Sequence, residues 1–198
     1  MPEYLRPQHQ QGMTLVVVLL LLGSSMLMGV AAMQLALLGT RSARNAHQHH
    51  LAWQAAEAGL ADAEWDIDPR DTDTPSRIHS FTAAPAATWI HGCSASGPTK
   101  GICVPSSGNV PAWLLVDLRH PDGASVQFGE FTHRTFASGP QGLQPYQAPR
   151  YLIELIEDTT VGGDASLGRD KKYIYRITSI GFGSSEDILA VTQSVYRK

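Results

Sequence analysis

The segment Met13–Thr40, MTLVVVLLLLGSSMLMGVAAMQLALLGT, contains no Asp, Glu, Lys, Arg or His. A helix that crosses the hydrocarbon core of a bilayer needs about 20 mostly apolar residues. It also satisfies every backbone hydrogen bond within itself, as lipid demands. The segment therefore reads as a membrane-spanning helix with length to spare. A secretory signal peptide would have a shorter apolar region closed by a small-residue cleavage site. Here the apolar run passes into more helix instead.

Toward the C-terminus, residues 41–67 read RSARNAHQHHLAWQAAEAGLADAEWDI. Trp53, Ala56, Leu60, Ala63 and Ile67 recur at helical spacing, with Gln54, Glu57, Ala61 and Glu64 on a neighbouring, mainly polar face. The pattern predicts one helix from Met13 to near Trp65, about 80 Å long at 1.5 Å per residue. Its second half would lay Trp53, Ala56, Leu60 and Ala63 on a sheet, and Asp68-Pro69 would end it.

Residues 68–112 are rich in Asp, Thr, Pro, Ser and Gly and predict an irregular connection. Within it lie the only two cysteines, Cys93 and Cys103, whose spacing is not that of a CxxC redox motif. In an exported protein they read as a disulfide clip, worth about 2.5–3 kcal/mol for a loop this short. Residues 113–198 carry the strand signals: Trp113–Leu118, Tyr151–Glu157, Lys172–Ile180 and Ile188–Tyr196. They are rich in β-branched and aromatic residues and separated by turn residues, which predicts an antiparallel meander. The fold class is α+β, a long N-terminal helix packed on a small antiparallel β-sheet.

A chain of 198 residues supports one folded domain plus an anchor. The net charge of −3 gives no global basic field, so no nucleic-acid partner is expected. No GxSxG, HExxH or Walker-type glycine loop occurs, and no Ser/His/Asp set is placed for catalysis. His47, His49 and His50 lack a nearby acid or thiol and read as a solvated helix face, not a metal site. Asp66, Asp68, Asp71 and Asp73 lack the glycine and closing glutamate of a calcium loop and read as a flexible acidic loop. Trp53, Trp65, Trp89 and Trp113 read as core or interface aromatics. The GFGSS at 181–185 reads as a hairpin turn. No enzyme and no cofactor is expected.

Three stretches carry a family resemblance. A polar leader, residues 1–12, ends at Gly12 and is followed directly by MTLVVVLLLL. LAWQAAEAGLADAE at 51–64 is rich in alanine and glutamate. PRYLIELIE at 149–157, YRITSIGFG at 175–183 and TQSVYRK at 192–198 close the chain. Together they resemble a PilX-type minor pilin of type IV pili. The resemblance implies a pilin-like fold, cleavage by a prepilin peptidase between Gly12 and Met13, and methylation of the new N-terminus. Three residues depart from the commonest pilin pattern: Gln11 stands for Lys or Arg, Met13 for Phe, and Val17 for the usual Glu.

The resemblance further implies a role in priming pilus assembly, in twitching motility and in adhesion. The implied partners are other minor pilins, the major pilin and a PilY-type tip adhesin. Charges flanking the span weakly favour the reverse orientation by the positive-inside rule. The cleavage motif and the cysteines place the N-terminus in the cytoplasm and the C-terminal domain in the periplasm. The alternatives are a membrane-tethered periplasmic enzyme, a type II secretion pseudopilin, and a ligand- or DNA-binding module. The last would use a basic stripe of Arg169, Lys171, Lys172, Arg176 and Arg197.

Overall fold

The structure is a computed structural model that describes residues 13–70, 77–81, 92–105, 110–121, 123–139, 143–157 and 173–197. The chain divides into two compact units, Met1–Ala46 and His47–Lys198. Helix α1 runs from Met13 to Ile67 and includes the apolar segment. In the first unit, Ser24, Ser25 and Thr40 donate their hydroxyls at 2.9 Å to the carbonyls of Leu21, Leu22 and Leu37, three residues back. No side-chain hydroxyl of these three is left to seek a partner in lipid. The large apolar side chains of this segment are exposed within the chain, as a lipid-facing surface requires.

The second unit is a six-stranded sheet with α1 on one face. Its strands are β1 (Gly92–Cys93), β2 (Ile102–Val104), β3 (Val126–Gln127), β4 (Arg150–Glu157), β5 (Tyr173–Phe182) and β6 (Leu189–Tyr196). The order is β1-β2-β4-β5-β6, with β3 beside the start of β4. The β4–β5–β6 meander is antiparallel, as its alternation and turns predict. The sheet as a whole is mixed, not antiparallel, because β2 runs parallel to β4 through Ile102↔Ile153 and Cys103↔Glu154. One edge of β4 thus serves two short neighbours, β3 antiparallel and then β2 parallel.

The connection expected to be irregular over 68–112 contains the β1–β2 hairpin and 3-10 turns at Ile78–Phe81 and Gly97–Thr99. Cys93 and Cys103 face each other across that hairpin and are joined in a disulfide. Trp113–Leu118 is not a strand. Ala112–Leu114 forms a 3-10 turn instead, and this segment covers the sheet face opposite α1. Two cores result. Leu60, Ala63 and Ile67 of α1 pack against Tyr151, Ile153 and Ile177 on one face. Ala112 and Leu118 pack against Leu152, Ile180 and Phe182 on the other.

Trp53 was expected on the helix–sheet stripe, and the structure corrects this: the side chain is 50% exposed. Ala52, Ala55, Ala56 and Gly59 line the contact instead. The cause is the closeness of β5. A Cβ added at Gly181 would overlap the backbone of Ala52, Ala55 and Ala56. One added at Gly59 would overlap the Ser179 hydroxyl. Backbones this close leave room only for alanine and glycine, so an indole has to turn outward. Trp53 meets the ring of His50 edge-on, with centroids 6.0 Å apart.

Candidate functional site

The residues that fix the folded domain to α1 are two buried aspartates, one helical turn apart. Asp62 and Asp66 both lie on the buried face of the helix, interleaved with Ala63 and Ile67. Asp66 was expected in a flexible acidic loop. It belongs instead to the last turns of α1, and its carboxylate is enclosed. Asp71 and Asp73 lie outside the described residues.

Asp66 accepts from Arg77 Nε at 2.9 and 3.0 Å, and from the Tyr151 hydroxyl at 3.0 Å. Arg77 Nη2 closes the forked ion pair. Arg77 also donates through Nη1 to the carbonyls of Pro98 (3.0 Å) and Lys100, and its guanidinium lies 3.7 Å from the centre of the Phe131 ring. One carboxylate thereby ties the helix to β4, to the start of the 3-10 turn at 78–81 and to the β1–β2 hairpin. Such pairs hold only if the remaining donors find partners too, and Nη1 does so at the two carbonyls.

Asp62 organises a different segment. It accepts from the Gly129 amide at 2.8 Å, from the Thr132 hydroxyl at 2.6 Å and from Arg134 Nη1 at 3.4 Å. The turn at 128–132 needs Gly129 at φ 79° and packs it against the Arg134 backbone. Burial pushes the Asp62 carboxyl above its usual range, outweighing the Gly129, Thr132 and Arg134 contacts that pull it down. The Tyr151 hydroxyl is raised as well, by burial and then by the negative charge of Asp66.

A folded-state value above the unfolded one means that the folded chain binds this proton more tightly. The Asp62 contribution is therefore fully present below its unfolded value of about 3.9 and is lost as pH rises through the raised folded value. An Asp62→Asn variant removes this proton-linked contribution. The stability of the wild type relative to the variant should fall with rising pH across that window, then level off. Denaturant unfolding of the full chain in micelles, repeated over that range, checks the slope. A constant difference would contradict the assignment.

On the other face, Glu154 accepts from Arg176 at 2.9 and 2.6 Å and from the Ala112 amide at 2.9 Å, holding the 110–118 segment over the sheet. Among the described residues, no group of three His, Cys, Asp or Glu could hold a metal ion.

The other expected site residues lie as follows. Ala56, Leu60 and Ala63 are buried on the sheet-facing side of α1. Met13 and Val17 are exposed on the apolar segment. Gly12, Trp89, Arg169, Lys171 and Lys172 lie outside the described residues. Arg176 of the supposed basic stripe is instead ion-paired with Glu154. Trp65 carries two guanidinium groups at its ring, Arg134 at 5.4 Å and Arg70 at 5.9 Å. Sequence reasoning missed Asp62, Arg77 and Tyr151. The available signal was the spacing of Asp62 and Asp66, which repeats that of Ala63 and Ile67 one residue earlier.

Comparison with known families matches both parts of the chain. Residues 11–61 match the PilX N-terminal family, and residues 39–198 match the family described as type IV pilus assembly protein PilX C-term. No curated protein and no solved structure matches. The two family matches overlap within α1 and together run from residue 11 to the C-terminus, and on that ground this chain belongs to the PilX family of type IV pilus assembly proteins.

Proposed function

We propose that the protein is a minor pilin that primes type IV pilus assembly from the tip or initiation complex, supporting twitching motility and adhesion. The observation that carries this reading is Val17, on an apolar segment without one charge. In pilins generally, the fifth residue after the cleavage site is a glutamate whose thought partner is the N-terminal amine of a neighbouring subunit. A carboxylate at bilayer depth costs about 2.5–3.5 kcal/mol on insertion scales and needs such a partner. A subunit that starts the filament has no earlier subunit to recognise. Valine therefore costs it nothing in assembly and favours its storage in the membrane.

In this reading the peptidase cuts between Gly12 and Met13, the amine of Met13 is methylated, and the span is kept. The protein rests in the inner membrane as a single-pass subunit with its domain in the periplasm, then enters the pilus. Gly23 and Gly29 have no atom within 4 Å of where a Cβ would stand, so they leave grooves for close approach by neighbouring helices. Other minor pilins, the major pilin and a PilY-type tip protein are the proposed contacts.

Deletion of the gene should abolish or sharply reduce surface filaments in electron micrographs, with recovery on complementation. Val17→Glu should move the tagged protein from filament ends to positions along the shaft, scored by immunogold labelling. Unchanged placement would count against the tip assignment. Normal filament numbers in the deletion strain would count against priming.

A further inference from the structure

Three arginines of the folded unit meet carboxylates, and two of them do so alike. Arg77 grips Asp66, and Arg176 grips Glu154, through Nε and Nη2 together, the two parallel donors of the guanidinium fork. Arg134 differs. It reaches Asp62 through Nη1 alone, at 3.4 Å, beyond the usual hydrogen-bond range. Among the described residues no acceptor meets its Nε or Nη2, and the side chain is 41% exposed.

That unfilled edge belongs to a guanidinium already held in place. Its Cζ lies 5.2 Å from the centre of the Phe128 ring and 5.4 Å from that of Trp65. The backbone is fixed as well. The Arg134 carbonyl packs on Gly129, and the His133 amide donates to the Gly129 carbonyl at 2.9 Å. His133 takes φ 56° in this turn, a left-handed value uncommon for a residue other than glycine. Backbone held in such a conformation collects where a fold presents a group to a ligand.

Arg134 lines a cleft of about 420 Å³ together with Lys100, Phe128, Gly129, Glu130 and Arg150. The other two cations are engaged. Lys100 Nζ donates to Glu130 at 2.7 and 3.0 Å, and Arg150 is buried against Ser125 and the Pro121 carbonyl. Three positive groups stand against two carboxylates, Glu130 in the lining and Asp62 at Arg134 Nη1, so one positive charge is uncompensated. A monoanion matches that surplus, whereas a phosphate dianion would overshoot it beside Glu130. A planar carboxylate is also the shape that the fork takes with two bonds.

We propose that the Nε–Nη2 edge of Arg134 receives one carboxylate, from an aspartate or glutamate side chain of another pilus subunit. A free small acid is the weaker occupant. An exposed ion pair by itself shifts an equilibrium by about fivefold at most, too little to retain a dissolved acid at millimolar concentration. The carboxylate therefore comes on a chain that also fills the cleft, and a pilus assembly protein meets such chains in its neighbours. The nature of the carrier rests on the function proposed above, whereas recognition of a carboxylate does not. Normal filaments in the deletion strain would remove the first and leave the second standing.

The test uses the full chain in detergent micelles, with nuclear magnetic resonance of the Arg134 Nε–H and the Trp65 indole N–H. The probes are end-capped alanine peptides with a central Glu, Gln or phosphoserine, and sodium acetate, all at one ionic strength. The Glu peptide should move both resonances along one saturable curve, with a midpoint at least about fivefold below that of acetate. The Gln peptide should leave them in place, and the phosphoserine peptide should bind no tighter than the Glu peptide. Arg134→Lys keeps the charge without the fork and should weaken the Trp65 response to the Glu peptide by about tenfold. If that variant fails to fold, the Glu and Gln peptides on the wild type decide alone. Equal shifts with Gln, or tighter binding of phosphoserine, would overturn the proposal. So would an equal midpoint for acetate, which marks an adventitious ion only, or an unchanged Trp65 response in folded Arg134→Lys.

Discussion

Asp66→Ala should destabilise the domain by about 3–5 kcal/mol, the usual range when one member of a buried ion pair is removed. The substitution leaves the Arg77 guanidinium enclosed without its counter-charge and strands the Tyr151 hydroxyl in the core. It also releases the tether through which Arg77 holds the hairpin carbonyls of Pro98 and Lys100. Chemical unfolding of the full chain in micelles, followed by tryptophan fluorescence, measures the loss. A shape-matched apolar pair, Asp66→Leu with Arg77→Met, should recover most of it, because removing both charges removes the desolvation cost as well. A loss below about 1 kcal/mol in the single variant would show that the pair is solvated in solution.

Gly181→Ala should be the next most damaging single change, at about 3 kcal/mol, the upper end of ordinary overpacking. The added methyl would meet helix backbone at Ala52, Ala55 and Ala56, which cannot rotate aside as a side chain can. Gly59→Ala meets the Ser179 hydroxyl, a group that can turn, and should cost less. The same unfolding measurement ranks the two. The reverse order would mean that α1 and β5 are farther apart than the structure places them.

These effects bear on function through one mechanical requirement. A subunit drawn from a membrane by its helix transmits load to its folded domain through the contact between helix and sheet. Dispersion across small residues gives close approach, and the two aspartates add directional bonds that a purely apolar contact lacks. Asp62 holds the 128–134 segment, and Asp66 holds Arg77 and through it Pro98 and Lys100 of the β1–β2 hairpin, so neither depends on its own short strand pairing alone.

Long elements were legible in the sequence because their signals accumulate. The uncharged run from Met13, the helical spacing through Ile67 and the alternation of β5 each span many residues. Of the GFGSS cluster at 181–185, read as a hairpin turn, Gly181 and Phe182 belong to β5 and the turn begins only at Gly183. Short elements were not readable, since β1 and β3 have two residues each and exist only through their partners. The parallel pairing of β2 with β4 joins segments about fifty residues apart and leaves no periodic mark. Trp53 misled for a different reason: size suggested an anchor, while the closeness of β5 admitted only alanine and glycine. Asp66 read as a loop charge and Asp62 was not singled out, because their partners at Gly129, Thr132, Arg77 and Tyr151 are distant in sequence or follow the helix end.

Of the assembly features, the span and the absence of a charge at Val17 could be read directly, since membrane chemistry acts on composition. The unfilled fork of Arg134 could not, because Asp62 and Trp65 meet it from α1, far along the chain.

Mass spectrometry of the N-terminal peptide, taken from membranes and from sheared filaments, tests the account most directly. The expected peptide begins at Met13, carries a methyl group and retains the apolar segment in both fractions. A mature protein that begins beyond Thr40 and is released without a membrane segment would contradict it.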